Sequence, residues 1–312
     1  MIGIRSIASY IPPDAISNYD RREEFALTDA FIVEKLGVER VSRKGVGEET
    51  STMCVSAFST LQSKLPVDPS EIELIVVCTQ NPDGHGIPHT SAVVHGAIGA
   101  PERCAAFDIS LGCSGFVYGL SVATSFMAAN GLKRGLLFTA DPYSKILNPS
   151  DRNTVLLFGD AATVTLLQAA DGRNPFWMPE RFRFATRGKE GGALNNDSGN
   201  LEMNGRAVFN FSATEVPVQI RALLADCGLT LDAIDLYLLH QGSRFIVDTI
   251  ARRMQLDRAK VPSNLARQGN TVSSSIPLLF EGFLENESVR RVVISGFGVG
   301  LSWASCVLER RQ

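Results

Sequence analysis

No stretch of this 312-residue chain stays apolar for the roughly 20 residues that a membrane-spanning helix requires. No apolar core follows Arg5 near the N-terminus, where Pro12 and Pro13 intervene, so no signal peptide is expected. Charge of one sign is not in excess either: 30 Lys and Arg stand against 33 Asp and Glu, a net −3 at pH 7. That balance argues against a broad nucleic-acid or anionic-membrane surface. No two of the six cysteines, Cys54, Cys78, Cys104, Cys113, Cys227 and Cys306, stand in C-x-x-C spacing. Scattered through apolar segments, they fit a reducing, cytoplasmic setting without a disulfide framework or a zinc site. His85 and His89 are four apart, but Pro88 interrupts them and no Cys or carboxylate cluster joins them. With His95 they read as the rim of a site rather than a metal centre.

What the chain does have is alternation. It is 45% hydrophobic and 20% charged, enough to bury a sizeable core. Apolar and β-branched runs predict strands at 1–10, 71–78, 104–110, 135–140, 158–167, 235–240, 291–295 and 301–308. Apolar residues at helical spacing predict helices over 51–65, 92–98, 116–129, 212–227 and 244–254, with a short one over 32–38. A further helix over 272–284 is expected to kink at Pro277. Residues 171–200, broken by Gly and Pro, read as an irregular connection with some β structure. Strands alternating with helices imply an α/β fold with a mostly parallel sheet covered on both faces.

The order also repeats. Residues 68–77 compare with 230–239, 131–138 with 287–294, and Phe158-Gly159 with Phe297-Gly298. Three matches in one order favour an internal duplication, a half at 1–170 and a half at 171–312, each a β/α layer unit.

Cys113 sits where a predicted strand hands over to a helix, in the turn Leu111-Gly112-Cys113-Ser114-Gly115. Unpaired N–H groups and the helix dipole there favour a nucleophilic thiolate. The same pattern also fits a buried structural cysteine. In the second half His240 ends a strand, at the edge where open α/β sheets bind ligands. Asn270 follows Gly269 before a Ser/Thr run, a pattern that also suits a loop and helix cap. In a duplicated fold these three junctions can converge between the halves.

Taken together, residues 108–116, His240-Gln241, Gly269-Asn270-Thr271, Phe158-Gly159-Asp160 and Gly296-Phe297-Gly298 resemble the β-ketoacyl-acyl carrier protein synthase III family of the thiolase superfamily. The resemblance covers essentially the whole chain. It implies a homodimeric, thiolase-like, five-layered α-β-α-β-α fold. It implies acyl transfer from an acyl-CoA or acyl carrier to Cys113, then decarboxylative Claisen condensation with malonyl-carrier protein or malonyl-CoA. His240 and Asn270 would stabilise the enolate. The N–H groups of Cys113 and Val299 would hold the tetrahedral oxyanion. No cofactor is implied beyond the thioester substrates. Family positions for the CoA or pantetheine arm map onto Phe31, Lys35, Arg152, Gly205, Phe209 and Ser243. The family's Trp and Arg are here Phe31 and Lys35, and its Asn is Ser243. Ile87 maps to a pocket residue donated by the partner subunit. Arg244, Arg252 and Arg253 map to a helix that could receive an acidic carrier protein, while a basic position nearby is Asn210. Two alternatives stand beside condensation: an acyltransferase passing the acyl group to oxygen or nitrogen, and a non-catalytic partner subunit.

Overall fold

Leu74–Cys78 is buried along its whole length, and its side chains divide between two cores. Leu74 and Val76 face one cluster, while Ile75 and Val77 face another. That is the period of two of a strand covered on both faces. Leu238 against Tyr237 and Leu239 divides the same way, as does Ile294 against Val293. The computed structural model describes residues 1–172 and 175–311. Arg173 and Asn174 of the predicted connection, and Gln312, lie outside the described residues.

Nine strands hydrogen-bond in one continuous order. They are β1 (Ile2–Tyr10), β2 (Leu74–Cys78), β3 (Ala105–Ile109), β4 (Arg134–Ala140), β5 (Ala162–Ala169), β6 (Phe176–Thr186), β7 (Leu236–Leu239), β8 (Arg291–Gly298) and β9 (Ser302–Arg311). From one edge the order is β3-β2-β4-β5-β1, and from the other β7-β8-β9-β6. The two sets join through a single pair, Ile4 with Trp177. In the first set β2 is parallel to β3 and β4, then β5 and β1 turn antiparallel. In the second, β7 is parallel to β8, then β9 and β6 turn antiparallel. The duplication is therefore visible in topology, and the second copy has no counterpart of β3 among the described residues.

Three apolar clusters define the layers. Helices α1 (Thr50–Lys64) and α2 (Thr90–Ile98) cover the outer face of the first set. Helices α4 (Gly205–Asp226) and α5 (Arg244–Met254) cover the outer face of the second. Between the sets lie α3 (Gly115–Asn130) and α6 (Ser275–Glu281), packed on the inner faces of both.

Some expectations fail. The sheet is mixed rather than mostly parallel, because the β8–β9 link spans only residues 299–301 and parallel neighbours need a crossover helix. The predicted irregular connection holds β6, an 11-residue strand. Helix α4 starts at Gly205, not 212, with Asn204 capping it. Residues 272–274 form a 3₁₀ turn, and Pro277 falls in the first turn of α6, where its missing N–H breaks no ladder bond.

Candidate active site

Cys113 follows β3 and opens α3, with its side chain only 3% exposed. Burial pushes its thiol up to about 12, against the backbone N–H groups of Val299 and of Cys113 itself, which point at the sulfur. The Asp141 carboxylate adds to the rise. The thiolate expected at this junction is thus corrected. In the closed site the sulfur is a thiol at neutral pH, because desolvation penalises the anion more than the N–H groups favour it. A Cβ on Gly298 would stand 2.7 Å from the Cys113 Sγ, so only glycine lets that turn come so close.

His240 ends β7 and is 2% exposed. Burial pushes its imidazole down to about 3, so the ring is neutral across physiological pH. Its Nδ1 lies 2.7 Å from the Ser275 Oγ, and its face meets the Phe297 ring edge-on at 5.4 Å between centroids. Asn270 is 3% exposed. Its Oδ1 accepts the Val272 N–H at 2.9 Å, which leaves Nδ2 as the donor toward the cavity. Its backbone is pinned to the first half: the Asn270 N–H donates to Leu157 at 2.8 Å, and the Gly159 N–H donates back at 3.0 Å.

Cys113, His240 and Asn270 converge on one cavity of about 520 Å³. Phe297 and Gly298 line it beside them, and Phe31, Lys35, Arg152, Gly205, Phe209 and Ser243 line it as well. Cys113, His240 and Asn270 are buried, while Lys35, Arg152 and Gly205 are exposed, so the cavity runs from surface to sulfur. At the rim the Arg152 guanidinium lies 5.2 Å and the Lys35 ammonium 5.6 Å from the centre of the Phe31 ring. The Ser243 Oγ also accepts the Ile246 N–H at 3.3 Å, which caps α5. Val299 contributes its N–H to the sulfur but does not line the cavity.

Other predicted residues lie elsewhere. Ile87 is 93% exposed on the loop before α2, away from the cavity. Arg244 pairs with Asp248 at 3.5 Å. Arg252 and Arg253 are exposed; among the described residues Arg252 bonds to Thr249 and Arg253 to the Ala213 carbonyl.

A family model described as 3-Oxoacyl-[acyl-carrier-protein (ACP)] synthase III matches residues 107–183, and one described as its C terminal matches residues 224–310. The chain is 33% identical over 325 residues to the β-ketoacyl-[acyl-carrier-protein] synthase III of Lactococcus lactis subsp. cremoris (strain MG1363), covering 98% of each. The chain belongs to the β-ketoacyl-acyl carrier protein synthase III family. A solved 3-oxoacyl-(acyl-carrier-protein) synthase III superposes with a TM-score of 0.91 at 31% identity, covering 99% of both chains. The priming β-ketosynthase of the R1128 polyketide pathway superposes at 0.88 with 25% identity, covering 99% of this chain and 96% of that one. The protein is thus a condensing acyltransferase of the synthase III type, with the thiolase-like fold.

Within this synthase III frame, sequence reasoning missed several residues of the site. Ser275 lies hidden in a Ser/Thr run that reads as a helix cap. Phe245 stacks on Phe209 at 4.9 Å. Arg206 lines the cavity as an exposed third cation beside Lys35 and Arg152. Nothing in the sequence around Arg206 separates it from a solvated helix start.

Proposed function

We propose that Cys113 accepts the acyl group and that His240 and Asn270 generate the carbanion. Neutral His240 takes the thiol proton as the sulfur attacks the acyl thioester. The N–H groups of Cys113 and Val299 face the resulting oxyanion. Collapse breaks the bond to the leaving thiol, which takes the proton back from the imidazolium. In the second step malonyl thioester loses carbon dioxide, and the electron pair moves onto its thioester oxygen. His240 Nε2–H and Asn270 Nδ2–H stabilise that enolate. Its carbon attacks the acyl group on Cys113, a C–C bond forms, and the sulfur leaves and regains a proton from solvent. The first nucleophilic pair is that of the Cys113 sulfur and the second is released from the malonyl C–C bond as carbon dioxide leaves, so no redox change occurs and no cofactor is called for.

One observation carries this reading. Each donor is anchored, His240 by Ser275 and the Val272 backbone and Asn270 by the Val272 N–H, and both side chains line one cavity with Cys113. His240 must first accept at Nε2 and later donate there. A hydroxyl both donates and accepts, so Ser275 can match either neutral tautomer.

The rim suits the phosphate end of coenzyme A or phosphopantetheine. Lys35, Arg152 and Arg206 gather there with no carboxylate partner among the described residues. Arg252 and Arg253, also without carboxylates, suit an acidic carrier protein, with Arg244 more weakly placed by its pairing to Asp248. A homodimer is supported by β3, an edge strand with half-buried Ala105, Phe107 and Ile109, Phe107 lying against Phe126. Asp108 of β3 accepts the N–H groups of Thr90 and Ser91, which ties the Ile87 loop to that edge. A second copy docked there would meet Ile87. Residues 1–170 and 171–312 are read as the two copies, since their strand order repeats. A cytoplasmic setting is supported by six free cysteines. Among the described residues no helix is long and apolar enough to cross a membrane.

The test is intact-mass spectrometry after incubation with acyl-CoA, followed by malonyl-carrier protein or malonyl-CoA. An acyl adduct absent from Cys113→Ala, then carbon dioxide and 3-ketoacyl product, is expected. Discharge only to an alcohol or amine would overturn condensation, and no adduct with any acyl-CoA would overturn catalysis.

A further inference from the structure

One buried carboxylate behind the cavity takes no part in the reaction just described. Asp141 follows β4 and is 1% exposed. Its Oδ1 accepts the Gln80 N–H at 2.6 Å, and its Oδ2 accepts the Ser273 hydroxyl at 2.5 Å. The titratable groups that face it are Cys54, Cys78, Cys113 and Tyr143, with no cation among them.

The carboxylate also takes the Ser273 backbone N–H and the Thr79 hydroxyl, so its bonds run to two different turns. On one side, Gln80 Oε1 accepts the Tyr143 hydroxyl at 2.9 Å. A Cβ on Gly112 would lie 2.5 Å from that Gln80 oxygen and 3.1 Å from the Tyr143 oxygen. Gln80 and Tyr143 are therefore pressed against the residue before Cys113. On the other side, Ser273 follows Val272, which has a φ of 52°. That left-handed region disfavours a β-branched residue and is held only when surrounding bonds demand it. The bonds are present: Asn270 Oδ1 takes the Val272 N–H, Ser274 Oγ donates to the Thr139 carbonyl at 2.9 Å, and Ser275 reaches His240.

We propose that Asp141 is a positioning residue shared by both turns of the site. One oxygen seats Gln80 behind the Gly112–Cys113 turn. The other holds Ser273, and with it the left-handed turn from which Asn270 and Ser275 act. This rests on the roles given to Cys113, His240 and Asn270. The chain thus uses one buried group of the first half to set the spacing of nucleophile and donors.

Two variants separate this from simple space-filling. Ser273→Ala removes the hydroxyl bond of one arm, which keeps only its backbone N–H, and leaves the other arm intact. It should lower malonyl-dependent carbon dioxide release roughly tenfold, as expected for a displaced donor, with acyl-adduct formation close to wild type. Asp141→Asn keeps a shape able to bond both partners but removes the charge facing Cys113. Alkylation of Cys113 by iodoacetamide, which needs no acyl substrate, should then speed up severalfold at pH 8. Equal loss of both steps in Ser273→Ala, or no loss in either, would overturn the proposal. A wild type that forms no Cys113 adduct would sink the reaction scheme instead. Asp141→Ala should impair both steps. Its melting temperature shows whether that loss is only unfolding.

Discussion

Burial favours a thiol at Cys113 and a neutral imidazole at His240, so on the proposed scheme acyl transfer starts from an uncharged pair. Because His240 titrates at about 3, protonation should not cut the acylation rate as pH falls from 8 to 5. Single-turnover adduct formation across that range checks this; a drop centred near 6.5 would contradict it. The same shift has a stability consequence. The unfolded ring titrates near 6.5 and the folded one at about 3. Between those values the unfolded chain holds the extra proton. His240 therefore favours folding fully above about 6.5, and that contribution is lost as pH falls toward 3. Asp141 has the opposite slope, since its carboxyl is raised from 3.8 to about 6 by burial. Urea melts of His240→Gln between pH 4 and 7 should show a smaller acid loss than wild type. At this scale Cys113 and His240 were legible because each follows a strand, whereas Asn270 follows the short helix Leu265–Gln268 and enters a 3₁₀ turn, not the strand-to-helix junction expected of it. Ser275 and Asp141 were not legible, since their partners lie 35 and 132 residues away and nothing local marks them.

Elements were legible where burial imposes a period. Strands β2 and β4 are continuous apolar runs, and α3 is an apolar run closed by Gly131. Strand β6 was missed because one stretch of it is exposed and carries Pro179, Glu180 and Arg181. Its partner β9 has a register shift between Val307 and Leu308 at that place, and a bulge tolerates proline. Helix α5 offers a test of Ser243, which both caps the helix and lines the cavity. If capping is its main role, Ser243→Ala should lose about 1 kcal/mol of stability while acylation continues at the wild-type rate. Thermal melts and adduct kinetics on one preparation decide it. A raised KM for acyl-CoA with no change in melting would assign Ser243 to the substrate arm instead.

For the whole molecule, three short repeats in the sequence foretold a doubled fold, and the strand order bears out the doubling. They could not foretell that antiparallel pairs outnumber parallel ones, because pairing sense depends on the connections rather than on the strands. The edge strand gives the prediction proper to this scale. Phe107→Glu places a charge on the face of β3 proposed to meet a second copy. It should shift the protein from dimer to monomer by light scattering and lower turnover, as Ile87 then has no neighbouring site to close. A variant that remains dimeric and fully active would remove β3 from the interface.

The missing counterpart of β3 has a further consequence. The 162-residue offset between 68–77 and 230–239 sets Cys78 against His240. The 156-residue offset between 131–138 and 287–294 sets Asp141 against Phe297. The approach to α3 carries Cys113, and the approach to α6 carries Asn270. The site therefore draws on both copies, with Phe158 and Phe297 alike but Cys78 and His240, and Asp141 and Phe297, different at the matched positions. Where the first copy runs a straight strand to Cys113, the second has an irregular stretch that bends back onto Phe158 and Gly159. On the proposed scheme, that difference between the copies lets one chain hold an electrophile with one copy and make a carbanion with the other.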